Sequence, residues 1–324
     1  MKNIVFGAGS IGTRHTKNLL TLKEEVEIFD SSSDAREKIG RELGVKTFDH
    51  IDSALEQLGS GSRAFICTPA DSHVQLATEC AKKGADLFVE KPLGVSRDGL
   101  RELVSILHEK DLISMIGANL RYDAKLSKLK TLLNEGVIGR PILIRCEFGH
   151  DLSLWRPNQD YRDNYAGHRD QGGGTVLDCI HELDIITWLA GSFPVSWSAQ
   201  VAKLSDLEIN TEDIATVICR FDGPLLGEVH LDYIQKEYTR YCKIIGESGN
   251  LIWNLNKNSS TLEISDSNGR KHFDQMDHFD INDMYLNQLK TLLKCTRLRI
   301  SPENNIAESV KVLGWALEIR DCHE

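Results

Sequence analysis

The chain has 324 residues, 41% of them hydrophobic and 27% charged, with a formal net charge of -10. That length holds two domains with separate cores, and the composition is that of an ordinary globular protein. The acidic balance argues against nucleic acid or an anionic membrane as partner, and no apolar run reaches the roughly 20 residues of a membrane span. The eight cysteines include no C-x-x-C pair, so they read as reduced core thiols of a cytoplasmic protein rather than a disulfide or zinc framework. The start, Met1-Lys2-Asn3, leads straight into a strand, which gives no signal peptide.

Residues 2–6 form a short apolar run suited to a buried parallel strand. Gly7-Ala8-Gly9-Ser10-Ile11-Gly12 follows, and Ile11, His15 and Leu19 then recur at helical spacing. Strand, G-x-G-x-x-G turn and helix is the order a dinucleotide needs. Gly7 permits the tight turn, Gly9 lets the backbone approach a pyrophosphate, and Gly12 lets helix and strand lie close. The pyrophosphate would meet the helix N-terminus at Ser10 and Ile11. Asp30 ends the next strand, 26–30, about 20 residues on, where a ribose-binding acid belongs.

Ser33 or Asp34 can cap a helix running to Leu43, and strands follow at 45–48 and 64–67. The latter ends in Thr68-Pro69, after which Asp71 or Ser72 can cap a helix that includes His73 and carries Val74, Ala77 and Ala81 on one face. A strand at 86–89, a helix with Leu100, Leu103 and Leu107, and a strand at 113–116 close the series. Such alternation means a parallel sheet covered on both faces, with ligands bound beyond the carboxyl ends of its strands. Three strand ends therefore carry the interest: 7–12, 68–73, and Glu90-Lys91-Pro92.

Near Gly117 the pattern changes. A polar helix spans 123–134, and strand-like runs follow at 142–148, 195–202, 214–221, 227–233, 241–246, 250–255 and 261–265. Several alternate polar and apolar residues, which predicts an antiparallel sheet with one face on a core. One helix, 177–189, interrupts it, and helices at 281–293 and 305–319 close the chain, the last with an Asn305–Glu308 capping box.

Four groups of side chains can carry chemistry. Lys91 is biased away from helix by Pro92 and, beside a cofactor, can hydrogen-bond a substrate hydroxyl or stabilise developing negative charge; otherwise it is a solvated lysine. Gly172-Gly173-Gly174 allows close backbone approach to a ligand or another chain. On the helix beyond it, Asp178 and His181, and His181 and Asp184, are three apart and can meet, which suits a general base; a helix start rich in acids beside a packed histidine is the plainer reading. The loop 150–171 interleaves Trp155, Tyr161 and Tyr165 with Arg156, Arg162, His168 and Arg169, the composition of a receptor for an acidic or phosphorylated small molecule or of a half-buried structural loop. Asp274, Asp277, His278 and Asp280 precede a helix, where acids complement the dipole, and are not read as a metal site.

These motifs together resemble the Gfo/Idh/MocA family: Gly7-x-Gly9-x-x-Gly12-x-x-His15, Thr68-Pro69-x-x-x-His73, Glu90-Lys91-Pro92, Asn119-x-Arg121-Tyr122 and Gly172-Gly173-Gly174-x-x-x-Asp178. The resemblance covers nearly the whole chain. It implies a Rossmann domain at 1–118, a substrate and oligomerisation domain on an open, mostly antiparallel sheet at 119–302, and a helix at 303–324 packing back on the first domain. It also implies a homodimer or homotetramer formed through that sheet. The implied chemistry is hydride transfer between a nicotinamide and a hydroxyl-bearing carbon of a sugar or cyclitol. Gly7, Gly9, Ser10, Ile11, Gly12, Asp30, Thr68, Pro69, His73, Glu90 and Lys91 are the cofactor residues by this resemblance. Asn119, Arg121, Trp155, Arg156, Tyr161, Arg162, Tyr165 and His181 are the substrate residues. Lys91 holds and polarises the substrate, His181 takes its proton, and Asp178 orients one or the other. The family commonly places three residues between that acid and the histidine; here there are two, Cys179 and Ile180, so Leu177 takes the acid's place if the register is set from His181.

Asp30 favours NAD over NADP because a carboxylate repels a 2′-phosphate, although Arg36 and the serines at 31–33 suit a phosphate. The arginine-rich loop points to an anionic or nucleotide-activated sugar of surface polysaccharide synthesis. Two other readings stay open: a non-catalytic NAD- or sugar-binding regulator, and an NAD-dependent glycosidase.

Overall fold

The computed structural model describes residues 1–155, 159–275 and 278–322. They divide into two compact units, one of Met1–Ala118 with Tyr285–Leu313, the other of Asn119–Met284 with the chain from Gly314 on.

In the first unit the apolar runs become β1 (Asn3–Phe6), β2 (Val26–Phe29), β3 (Lys46–Phe48), β4 (Arg63–Ile66), β5 (Asp86–Val89) and β6 (Ser114–Ile116). Between them lie α1 (Ser10–Thr21), α2 (Ser33–Leu43), α3 (Ile51–Leu55), α4 (His73–Lys82) and α5 (Leu100–Glu109). All pairings are parallel, in the order β3-β2-β1-β4-β5-β6. This is the doubly wound order, which reverses between β1 and β4 and opens a crevice at their carboxyl ends. Every residue of β1, β4 and β5 is buried, as strands covered on both faces must be.

One cap residue differs from expectation, and a second is as expected but lacks a side-chain bond. The cap of α2 is Ser32, whose hydroxyl accepts from the Ala35 N–H, because Ser33 already lies in the helix. Ser72 is the N-cap residue of α4, but its side chain makes no capping hydrogen bond. A 3-10 turn at Ala70–Ser72 leads into it, and the Ser72 hydroxyl instead lies 2.7 Å from that of Thr68 and donates to Pro69 O.

The second unit holds α6 (Ala124–Asn134), β7 (Pro141–Gly149), α7 (Thr175–Asp178), α8 (His181–Ala190), β8 (Ser196–Ala202), β9 (Ile214–Arg220), β10 (Leu226–Asp232), β11 (Thr239–Gly246), β12 (Gly249–Leu255), β13 (Ser260–Ser265) and β14 (Lys271–Gln275). The sheet order is β14-β13-β12-β11-β7-β10-β9-β8, antiparallel except for the central β7–β10 pair. Ile144, Cys146 and Phe148 of β7, with Val229 and Leu231 of β10, are buried where α8 packs on those strands. The alternate residues are half-exposed, with Arg145 of β7 paired to Glu228 of β10. The edge strand β14 escapes sequence reading.

The helix expected over 177–189 is two helices. α7 ends at Asp178 and α8 begins at His181, with Cys179 at φ -96°, ψ 29° between them. Asp178 and His181 therefore do not share one helical surface. The last helices are α9 (Asn282–Leu298) and α10 (Ile306–Asp321). From Tyr285 onward α9 clusters with the first unit; α10 does so to Leu313, and its remainder clusters with the second. Asn305 caps α10, its side chain accepting from the Glu308 N–H at 3.0 Å.

Candidate active-site elements

The glycine turn after β1 has the shape a dinucleotide requires. Gly7 sits at φ +102°, and a Cβ there would lie 2.6 Å from Cys67 O. A Cβ on Gly12 would lie 1.8 Å from Gly7 O, so only glycine lets α1 approach the turn this closely. Gly9 is the opposite case, with nothing within 4 Å of its Cβ position. It is also the N-cap of α1, which has no side-chain cap and no acid in its first turn. An open, positively polarised helix start is a fit for an anionic group such as a pyrophosphate.

Asp30, just beyond β2, accepts from the Ala8 N–H at 2.6 Å and the Ser32 N–H at 2.8 Å, which aims its carboxylate at the glycine turn. Arg36 donates to the backbone carbonyls of Asp30 and Ser31, at 2.7 and 3.1 Å. Its cation is thereby tied to the strand end, and the Asp30 carboxylate stays beside the glycine turn.

His73 joins the other two strand ends. Its Nδ1 lies 2.8 Å from Pro92 O and its Nε2 2.8 Å from Thr68 O. Burial pushes its pKa down while the two carbonyl oxygens pull it back up, and burial prevails. Glu90 is buried and accepts from Nε2 of His15 at 2.7 Å and from the Lys91 N–H at 3.2 Å. The Lys91–Pro92 peptide is cis.

In the second unit, Asp178 is buried, and its carboxylate accepts from the Tyr165 hydroxyl at 2.8 Å and the Tyr233 hydroxyl at 3.4 Å. Burial, then the Asp178 charge, pushes the Tyr233 phenol well up, so it stays a donor. The glycine run explains how Tyr165 arrives there. A Cβ on Gly173 would lie 2.3 Å from Tyr165 O, and one on Gly174 would lie 2.3 Å from a carboxylate oxygen of Glu212. The close approach is thus to the chain's own loop. Trp155 completes the group. Its ring centroid is 5.2 Å from that of Tyr233 and 5.9 Å from that of Phe148, and its indole N–H donates to His150 O. Tyr233 escapes sequence reading as a polar group, because it ends the apolar alternation of β10 and looks like core.

His181 opens α8 and is buried. The acids after it belong to cations. Asp184 takes both prongs of Arg121 at 2.6 and 2.7 Å, and Glu182 holds Arg240 at 2.7 Å over the Phe148 ring. Asn119 is buried at the start of the 3-10 turn Asn119–Tyr122. In the loop, Arg162 is exposed and pairs with Asp160 at 2.6 Å and Glu208 at 3.1 Å, while the Tyr161 hydroxyl accepts from the Glu208 N–H. Arg156 and Asp277 lie outside the described residues. Asp274 is held by Lys125 and Lys128. Among the described residues no group of three or more His, Cys, Asp or Glu is disposed to hold a metal ion, and no helix is long and apolar enough to cross a membrane.

A parallel sheet with this glycine turn, followed by a mixed, mostly antiparallel sheet, defines a Rossmann-type oxidoreductase of two units. Residues 1–118 match the model of the oxidoreductase family with NAD-binding Rossmann fold, and residues 126–252 match the GFO/IDH/MocA C-terminal domain. The chain belongs to the Gfo/Idh/MocA family and is an NAD-binding oxidoreductase. It is 26% identical over 301 residues to the myo-inositol 2-dehydrogenase of Thermotoga maritima, covering 90% of this chain and 86% of that one. Its fold matches that of a levoglucosan dehydrogenase solved with NADH and levoglucosan, at TM-score 0.87 and 16% identity over 99% of this chain and 96% of that one. It also matches the UDP-N-acetylglucosamine 3-dehydrogenase of Acidithiobacillus ferrooxidans, at TM-score 0.81 and 19% identity over 99% and 97%.

Proposed function

We propose that the chain transfers a hydride between NAD and a secondary alcohol carbon of an uncharged polyol ring, a cyclitol or a neutral sugar. The observation that carries this is the second unit's group of Asp178, Tyr165 and Tyr233 beside the indole of Trp155. A buried carboxylate and phenol oxygens suit ring hydroxyls, and an indole face suits the C–H face of a sugar. The likeness to a myo-inositol dehydrogenase over most of the chain supports the same class. The anionic-sugar reading loses support, because the charge of Arg162 is already answered by two acids.

NAD, when bound, supplies the hydride acceptor. In this reading the Lys91 ammonium hydrogen-bonds the reacting oxygen and holds its developing negative charge. His181 accepts the hydroxyl proton through a ring nitrogen, and Asp178 accepts a hydrogen bond from a neighbouring hydroxyl.

The test is NADH formation from NAD with myo-inositol, scyllo-inositol, neutral aldoses, a uronic acid and a UDP-sugar offered singly. Turnover is expected on a neutral polyol, falling about 100-fold or more in Lys91→Met and His181→Ala. Turnover confined to the uronic acid or the UDP-sugar rejects the substrate class. NADH binding without turnover on any of them favours the regulator, and sugar release from a glycoside without net NADH favours the glycosidase.

A further inference from the structure

We infer that His15 and Glu90 are positioning residues that fix the backbone from which Lys91 acts. The inference rests on the role of Lys91 proposed above. His15 sits on α1, is fully buried, and meets Glu90 through Nε2 at 2.7 Å across 75 residues of sequence. Its ring is otherwise held by aromatic edges, with centroids 4.8 Å from Phe88 and 6.0 Å from Tyr285. Nδ1 has no hydrogen-bond partner among the described residues. The ring thus makes a single polar contact, and that contact is Glu90.

The carboxylate it meets is engaged on both sides. One oxygen faces His15, and the other accepts from the N–H of Lys91 itself at 3.2 Å. Gly117 closes the remaining side: a Cβ there would lie 2.6 Å from Oε2 and 2.8 Å from Cδ of Glu90. Gly117 is itself fixed, its N–H donating to Val89 O at 2.7 Å. The carboxylate is therefore wedged between α1 and the end of β6, and its second oxygen holds the peptide that carries Lys91.

A buried imidazole–carboxylate contact adds little to stability once desolvation is counted, so its worth lies in geometry. The consequence here is local, because the group being fixed is the amide of the next residue. Misplacing a reacting group by about 1 Å can cost about 100-fold in rate.

The test uses His15→Leu, which keeps apolar bulk and loses the donor; His15→Gln, which keeps an N–H toward Glu90; and Gly117→Ala, which displaces the carboxylate while leaving both partners in place. Three quantities are read: labelling of Lys91 by trinitrobenzenesulfonate, followed by peptide mass spectrometry and needing no substrate; NADH affinity by fluorescence; and kcat and KM on the neutral polyol turned over fastest. His15→Leu and Gly117→Ala are expected to lower kcat about 10- to 100-fold, with NADH affinity within about threefold, and to label Lys91 faster. His15→Gln is expected to recover most of the loss. Wild-type kcat and wild-type labelling in His15→Leu or, should that variant not fold, in Gly117→Ala overturn the proposal. So does a His15→Gln as impaired as His15→Leu, since packing of the ring would then suffice. Wild-type kcat in Lys91→Met would instead overturn the role of Lys91, while the labelling rates still decide whether His15 and Glu90 position it.

Discussion

Replacing Gly9 by alanine should separate cofactor binding from folding. The backbone there lies at φ -65°, ψ -172°, which alanine adopts without strain, and its Cβ would meet no atom within 4 Å. Alanine is the poorer N-cap by about 0.5–1 kcal/mol, while loss of glycine's freedom in the unfolded chain returns about 0.4–1 kcal/mol. The two nearly cancel, so Tm should move by no more than about 2 °C. Binding should suffer, because the methyl group occupies the space a phosphate needs to reach the N–H groups of α1. Losing one or two charge-assisted hydrogen bonds, at about 1.5–3 kcal/mol each, raises the Kd for NADH at least about tenfold. Gly12→Ala should do the reverse in folding: its Cβ lands 1.8 Å from a backbone oxygen, which cannot swing aside, so α1 must lift, at about 1–3 kcal/mol or more. Thermal melts followed by circular dichroism, and NADH titrations followed by fluorescence, read both quantities. A Gly9→Ala protein that binds NADH as tightly as the parent would show that the pyrophosphate does not cross Gly9. A Gly12→Ala protein with the parent's Tm would refute the packing argument.

Arg121→Met should cost about 3–5 kcal/mol in urea unfolding, because it strands Asp184 in a site where the pair's side chains are only 10% and 12% exposed. Adding Asp184→Leu should restore much of that, and failure to do so would place the role of Arg121 elsewhere. Arg162→Ala should leave kcat/KM on a neutral polyol unchanged, since Asp160 and Glu208 already answer its charge; a large rise in KM would revive an anionic substrate. His230 lies against Asp232 and Thr216, and the Asp232 carboxylate raises its pKa above the ordinary 6.5, with Glu147 and Glu228 adding to the effect. A raised value in the folded state favours folding fully below the unfolded pKa and fades as pH climbs through the folded one. His230→Gln should therefore destabilise the protein at about pH 5.5 and converge with the parent at about pH 8.5; a gap that widens with pH would contradict the assignment.

How much of the fold can be read in advance depends on how local its causes are. The strands β1, β4 and β5 stand out because burial on both faces demands an unbroken apolar run. β14 is the opposite case. Lys271, His272, Phe273 and Gln275 are exposed, so its pairing with β13 leaves no apolar pattern in the sequence. α3 is five residues long with one buried alanine, too short for a stripe. The break between α7 and α8 is hidden for another reason. Cys179 and Ile180 are both compatible with helix and the apolar run passes straight through them, so no helix-breaking residue marks the turn.

The site divides along the same line. The glycine turn is legible because its reasons are internal: Gly12 meets Gly7, and Asp30 bonds Ala8, all within thirty residues of one another. A charge or a hydroxyl is different, since its meaning depends on what the rest of the chain brings to it. Arg162 among aromatics looks like an anion receptor until Glu208, 46 residues away, reaches its guanidinium. Arg121 has the same ambiguity until Asp184 arrives from 63 residues on, and Asp178 is not a helical neighbour of His181 but the acceptor for Tyr233, 55 residues away. His15 shows the rule most plainly, because a histidine on the apolar side of a first helix reads as core. Only the arrival of Glu90, already bonded to the amide of Lys91, turns it into part of the apparatus that aims a lysine.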